Sequence, residues 1–244
     1  MMNIDGLKLA MLFASKPSEL GYCGIPFNLE KIINLMNSKR WEDEDIETVK
    51  KWLTSFEAFF SYTVSIAEVT KLDPFDKKIV EAYVIGNELW DKKIEGNVAE
   101  KLKERIIKYV VSKNQIDALG KLSNIVKKVH IPLTHNFHVL YFGSITGKLE
   151  ITVSNQDMCK ISLGKVKEVL ENSVVVEYNR LINDGEWKTL TAELEVQSPF
   201  FSVEKNDYVL IHWKTIFWKP TQRQVKNYRK YFERLLKSLN SLNL

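Results

Sequence analysis

Residues 161–178 read Ile-Ser-Leu-Gly-Lys-Val-Lys-Glu-Val-Leu-Glu-Asn-Ser-Val-Val-Val-Glu-Tyr, two runs rich in β-branched residues on either side of Glu171-Asn172-Ser173. Branched and aromatic side chains pack well on a pleated surface, and a short polar break between two such runs is a tight connection. The same character continues downstream in Trp187–Leu194 and Tyr208–Trp213, with Asn183-Asp184-Gly185 as a turn signal that offers a glycine for positive φ. Upstream it extends to Phe137–Phe142 and Lys148–Val153, so everything after Pro132 is read as mostly β. Several short strands so close together predict a small, OB-like β-barrel.

The barrel is followed by a helix. Val225, Tyr228, Phe232, Leu235 and Leu239 share one helical face, and Arg223, Lys226, Arg229, Lys230, Arg234 and Lys237 make the remainder strongly basic. Before Pro132 the pattern is helical. Ile46, Val49, Leu53, Phe56, Phe60 and Thr63 recur every three or four residues, which predicts one amphipathic helix. Asp73-Pro74 with Asp76 reads as the capped start of another, running to about Trp90. Further helical periods cover Val98–Val111 and Gln115–Val126. The expected fold is therefore α+β: a helical domain at 1–130, a β-rich connection at 131–156, and a small β-barrel with a C-terminal helix at 157–244.

Composition narrows the function classes. The 244 residues are 45% hydrophobic and 27% charged, which suits folded domains with a core. The net charge of +4 is too mild to argue for nucleic acid by itself. Residues 129–147 carry no Asp, Glu, Lys or Arg over nearly the length of a bilayer span, but they hold three histidines, a proline and two glycines. No membrane span is expected there. Two cysteines make no disulfide framework, and without a signal-peptide pattern the expected compartment is the cytoplasm. There is no Gly-x-Ser-x-Gly elbow, phosphate loop, His-Glu-x-x-His or Cys-x-x-Cys, so a common enzyme class is not expected.

Two segments carry a family resemblance. Met158-Cys159-Lys160-Ile161-Ser162-Leu163-Gly164-Lys165-Val166 and, about fifty residues later, Asn206-Asp207-Tyr208-Val209-Leu210-Ile211-His212 resemble, in order, the two signatures of HypC-type hydrogenase assembly chaperones. The likeness covers roughly the last third of the chain. It implies a HypC-like barrel and a role in nickel-iron hydrogenase maturation. Such chaperones bind iron carrying cyanide and carbon monoxide ligands with a maturation partner, or bind the immature hydrogenase large subunit. Cys159 and His212 stand where the functional residues would be, and iron would be held transiently.

Three departures bear on the mechanism. Cys159 is internal and offers no α-amino group, Leu163 replaces a proline, and Trp213-Lys214 replaces a small residue and glycine. The blocks Leu20–Gly24, Asp73–Asp76, Glu81–Asn87 and Pro132–His138 together resemble an uncharacterised family that joins such a helical region to a HypC-like part.

Other residues suit metal chemistry. Thiolates are soft, strong ligands and neutral imidazoles borderline ones, so Cys159 with His212 is a candidate iron site. Cys23, in a loop between Gly21 and Gly24, is a candidate to complete it. His135 and His138 look like a metal pair, yet on a strand a separation of three directs them to opposite faces, one to a site and the other to the core. Arg223, Lys226, Arg229 and Lys230 are candidates for contact with a partner protein. Two alternatives remain open at this level: a nucleic-acid-binding barrel using that basic helix, and a metalloprotein built on Cys23, Cys159 and the histidines.

Overall fold

A computed structural model describes residues 5–38, 40–113, 130–143 and 150–242. The architecture is α+β. Helices α1 (Asp5–Glu19), α2 (Leu29–Asn37), α3 (Asp43–Thr54), α4 (Glu57–Thr70) and α5 (Lys77–Val84) come first. A 3₁₀ turn (Glu88–Lys92) and α6 (Glu95–Lys113) follow. Next are α7 (His135–Phe137, continuing as a π-helical turn over His138–Phe142) and α8 (Val153–Cys159). Strands β1 (Ser162–Val169), β2 (Val174–Asn183), β3 (Trp187–Val196), β4 (Tyr208–His212) and β5 (Thr215–Trp218) precede the closing helix α9 (Gln222–Asn240). Among the described residues no helix is long and apolar enough to cross a membrane.

Helix α1 is the centre of the helical part. Leu7, Leu9 to Phe13 and Ala14 are all buried, since α1 packs against α2, α3, α5 and β5. Gly6 allows this: a β-carbon there would stand 2.1 Å from the Phe75 carbonyl oxygen, so the backbones could not approach so closely with any side chain. The capped start predicted at Asp73 lies one turn further on. Asp76 is the N-cap, accepting the Lys78 N–H, whereas Asp73 closes a local turn onto Phe75 N–H and α5 ends at Val84. The single helix expected through Phe56 is two, α3 and α4, and in α4 Phe59, Tyr62, Thr63 and Ile66 are buried while Phe60 is half-buried. The period predicted for Gln115–Val126 lies outside the described residues.

The strands form one antiparallel sheet in the order β3-β2-β1-β4-β5. The β2–β3 hairpin turns where predicted, with Gly185 at φ +101°. Strand β5, not foreseen, follows β4 through the two-residue turn Trp213-Lys214, both at positive φ, and His212 pairs with Thr215. The sheet is open and not the closed barrel expected, because β3 and β5 make no ladder. Only one bridge, Gln197 to Thr215, crosses between the chain after β3 and the start of β5.

Between Pro132 and Cys159 the expected strand at Phe137–Phe142 is helical, and a second helix, α8, follows. Thr134 caps α7 by accepting the Phe137 N–H, and Thr152 caps α8 by accepting that of Asn155. Of the run at 148–153, only 150–152 lie among the described residues outside α8, and they form no strand.

Helix α9 ties sheet to helices. The Thr221/Gln224 capping box starts it, Arg223 pairs with buried Glu81 at 3.1 Å, Lys230 with Asp91 at 2.7 Å, and Arg234 with buried Glu95. At its far end Asn240 exchanges two hydrogen bonds with the Trp187 backbone on β3. One core of buried side chains thus takes Leu12, Trp90 and Leu102 from the helical part together with Leu181, Leu210 and Phe217 from the strands.

Candidate metal centre

The sheet and α1 meet at the end of β4, and that junction collects the candidate ligands. His212 is the last residue of β4, and its Nδ1–H donates to the Phe13 carbonyl of α1 at 3.0 Å. A carbonyl only accepts, so the proton sits on Nδ1 and Nε2 carries a lone pair. That Nε2 is buried and has no hydrogen-bond partner. The imidazole stacks on Phe13, with centroids 4.9 Å apart and rings within 2° of parallel.

Cys159 arrives from the other side as the last residue of α8, rather than at the start of a strand. The turn after β4 fastens it there, since the Trp213 N–H donates to the Met158 carbonyl at 2.9 Å. His135, first in α7, is held by Asn136, whose amide side chain accepts the Ile161 N–H at 2.7 Å and donates to its carbonyl at 3.0 Å. One ligand atom from each of His135, Cys159 and His212 lies within 4.8 Å of the others, a span that one metal ion bridges.

The two imidazoles differ in readiness. His135 Nε2–H donates to the Cys159 carbonyl at 3.0 Å, which leaves Nδ1 as its acceptor, and the Tyr83 hydroxyl occupies Nδ1 at 3.2 Å. A metal recruiting His135 must displace that hydroxyl, whereas His212 Nε2 needs no such exchange.

Electrostatically the cluster is neutral. Burial lowers His135 to about 4, against the pull of the Cys159 carbonyl. Burial and then His135 lower His212 to about 3, against the carbonyls of Phe13 and Cys159. Burial raises the Cys159 thiol far above its usual value, Cys23 adds to the rise, and Trp213 acts in the opposite direction. Near neutral pH the imidazoles therefore present lone pairs while the thiol keeps its proton. Metal binding here means replacing one thiol proton by a cation.

All three residues line a cavity of about 290 Å³ walled mainly by Phe13, Tyr22, Phe56, Phe59, Tyr83 and Trp213. Cys23 lines it too, from the loop after α1, where Gly24 has φ +66° and a β-carbon would meet the Phe56 ring at 2.5 Å. Cys23 is not one of the three clustered ligands. His138 also faces the cavity. It sits three residues after His135 on a helical turn, so the two are not on opposite faces of a strand. Ile25 and Ile151, 57% and 58% exposed, stand at the mouth.

A family model matches residues 2–244. The chain belongs to DUF6390, a family of unknown function. No curated protein and no solved structure matches it. Within this DUF6390 chain the four basic residues put forward for partner contact lie on α9. Arg223 and Lys230 pair with acids of the helical part, Arg229 lies over the Tyr208 ring, and Lys226 is exposed. The contributions of Tyr83, Phe13 and Asn136 were not visible in the sequence, because each depends on a contact between distant elements.

Proposed function

We propose that this protein is an accessory, chaperone-like factor of nickel-iron hydrogenase maturation. It holds an iron fragment at Cys159 and His212, with His135 as third ligand, and hands it to an immature hydrogenase or a maturation partner. The observation that carries this reading is the meeting of Cys159 and His212. They come from two separate signature-like segments and stand together, with a third ligand, in one cavity. A thiolate with imidazoles suits iron, and the choice of iron over zinc or cobalt rests on the resemblance.

The residues fit such a cargo. His212 Nε2 is a buried lone pair without a partner, a costly arrangement unless something binds it. Three protein ligands leave coordination positions open, as a carrier of a ligand-bearing fragment requires.

A second reading, a resident metal in a metalloprotein, draws on the same cluster. Infrared spectroscopy of protein purified anaerobically from its native host separates the two. The chaperone reading expects iron with cyanide and carbonyl stretching bands that disappear in Cys159→Ala; metal without those bands would favour the resident site. The nucleic-acid alternative draws no support from α9, where Arg223, Lys230 and Arg234 are paired within the chain.

A further inference from the structure

The turn between β4 and β5 is built from residues that do not favour it. Trp213 and Lys214 both stand at positive φ, +50° and +56°, in a two-residue hairpin turn where asparagine and glycine are the usual occupants. A left-handed backbone costs an ordinary residue roughly 1–2 kcal/mol, so the surroundings must hold Trp213 in this form. They do so at both side chain and backbone. The indole lies against the Tyr22 ring, with centroids 4.5 Å apart, and the Trp213 backbone N–H donates to the Met158 carbonyl at 2.9 Å.

The indole lines the same cavity as Cys159, and its Nε1–H is buried without a hydrogen-bond partner. An idle buried donor costs about 1–3 kcal/mol. The group this N–H acts on is the Cys159 sulfur, whose ionised form it favours, against burial and against Cys23. A thiol is a weak acceptor and a thiolate a strong one. The donor is therefore idle while the thiol keeps its proton, and gains an acceptor when a cation displaces that proton. A ring that served only as a wall of the cavity would need neither the N–H nor the left-handed backbone.

We propose that Trp213 is a positioning residue of the metal site, its indole N–H donating to the metal-bound thiolate of Cys159. This rests on the metal-site reading above and goes beyond it by giving the sulfur a second contact. On loading, the thiol proton leaves to solvent, the sulfur binds the cation and the Nε1–H completes its hydrogen bond. The bond offsets part of the cost of a negative sulfur among aromatic rings and draws charge from the sulfur lone pairs. Tyr22 and the Met158 carbonyl aim the donor, and the strained turn is the means of delivering it.

The test uses the full chain loaded with Co(II) under anaerobic conditions, read in the sulfur-to-metal charge-transfer band. In Trp213→Phe, which keeps an aromatic ring against Tyr22, that band should move to lower energy, because the sulfur lone pairs lose the bond that stabilises them. Co(II) affinity, measured by competition with a chelator, should fall about tenfold or more, as it does when an outer contact to a metal ligand is removed. In wild type loaded with Zn(II), one of the six indole N–H proton resonances, assigned by its proximity to the Tyr22 ring, should move downfield. This second measurement decides the matter if the phenyl variant does not fold. A charge-transfer band unmoved in Trp213→Phe, or an indole resonance unmoved by Zn(II), overturns the proposal and leaves the metal site standing. Failure of wild type to take up Co(II), or a Co(II) spectrum without a sulfur band, overturns both.

Discussion

Two buried polar clusters flank Cys159, and they are built on opposite terms. On one side, Asp157 accepts Lys160 Nζ at 3.0 Å and the Leu181 N–H at 2.7 Å on one oxygen, and the Tyr178 hydroxyl at 2.8 Å on the other. Lys160 also reaches Ser162 and lies over the Tyr178 ring. Its side chain is fully buried and every group is partnered. On the other side, His212 Nε2 and His138 Nδ1 are buried without partners, and the Cys159 thiol faces a cavity. Folding alone explains the first cluster, which clamps the end of α8 to β2. The second leaves two buried ring nitrogens unpartnered beside a cavity, which a bound ligand would satisfy.

The contrast breaks most visibly if Asp157 is replaced. Asp157→Ala leaves Lys160 as an uncompensated buried cation and should cost about 3–5 kcal/mol in chemical denaturation. His212→Phe should cost less, about 1–3 kcal/mol, since it keeps the stack on Phe13 but leaves the Phe13 carbonyl, whose helical donor position is taken by Pro17, without a partner. Equal losses in both variants would erase the distinction.

Acid should act through the second cluster. His135, His138 and His212 have folded values of about 4, 3 and 3, all below the unfolded value near 6.5. The unfolded chain therefore binds more protons in this window. The stability is fully present above about pH 6.5 and is lost as pH falls towards 4 and 3. Between pH 6.5 and 5 each imidazole should account for a loss on the order of 1–2 kcal/mol. Urea midpoints across that range check this, and His138→Phe should flatten the dependence.

Of these two clusters the sequence disclosed little, and the reasons are physical. The β2–β3 hairpin was legible because Asn183-Asp184-Gly185 is a local turn code and its strands have an exposed face. Phe137–Phe142 were misread as a strand because all of 131–142 are buried, so no polar face interrupts the aromatic and β-branched side chains to mark a helical period. The caps that start α7 and α8, Thr134 and Thr152, were the available signals. Cys159 and His212 were marked by resemblance, but His135 joined them only through the Asn136 clamp, a long-range contact. Nothing local distinguishes Asp157 and Lys160 from surface charges.

Two smaller effects sharpen the account of the ligands. Metal affinity should rise by about tenfold per pH unit between pH 6 and 8, because one thiol proton is displaced while the imidazoles are already neutral. A competition titration at several pH values reads that slope, and a slope near zero would mean that Cys159 takes no part. Tyr83→Phe should raise affinity a few-fold by freeing His135 Nδ1; a decrease would show that the hydroxyl supports the ligand instead of competing with it.

The most direct measurement is X-ray absorption at the zinc edge on the full chain loaded with one equivalent of Zn(II). The account predicts one sulfur at about 2.3 Å and two imidazole nitrogens at about 2.0–2.1 Å. A first shell of light atoms alone, or a spectrum unchanged in Cys159→Ala, would contradict it.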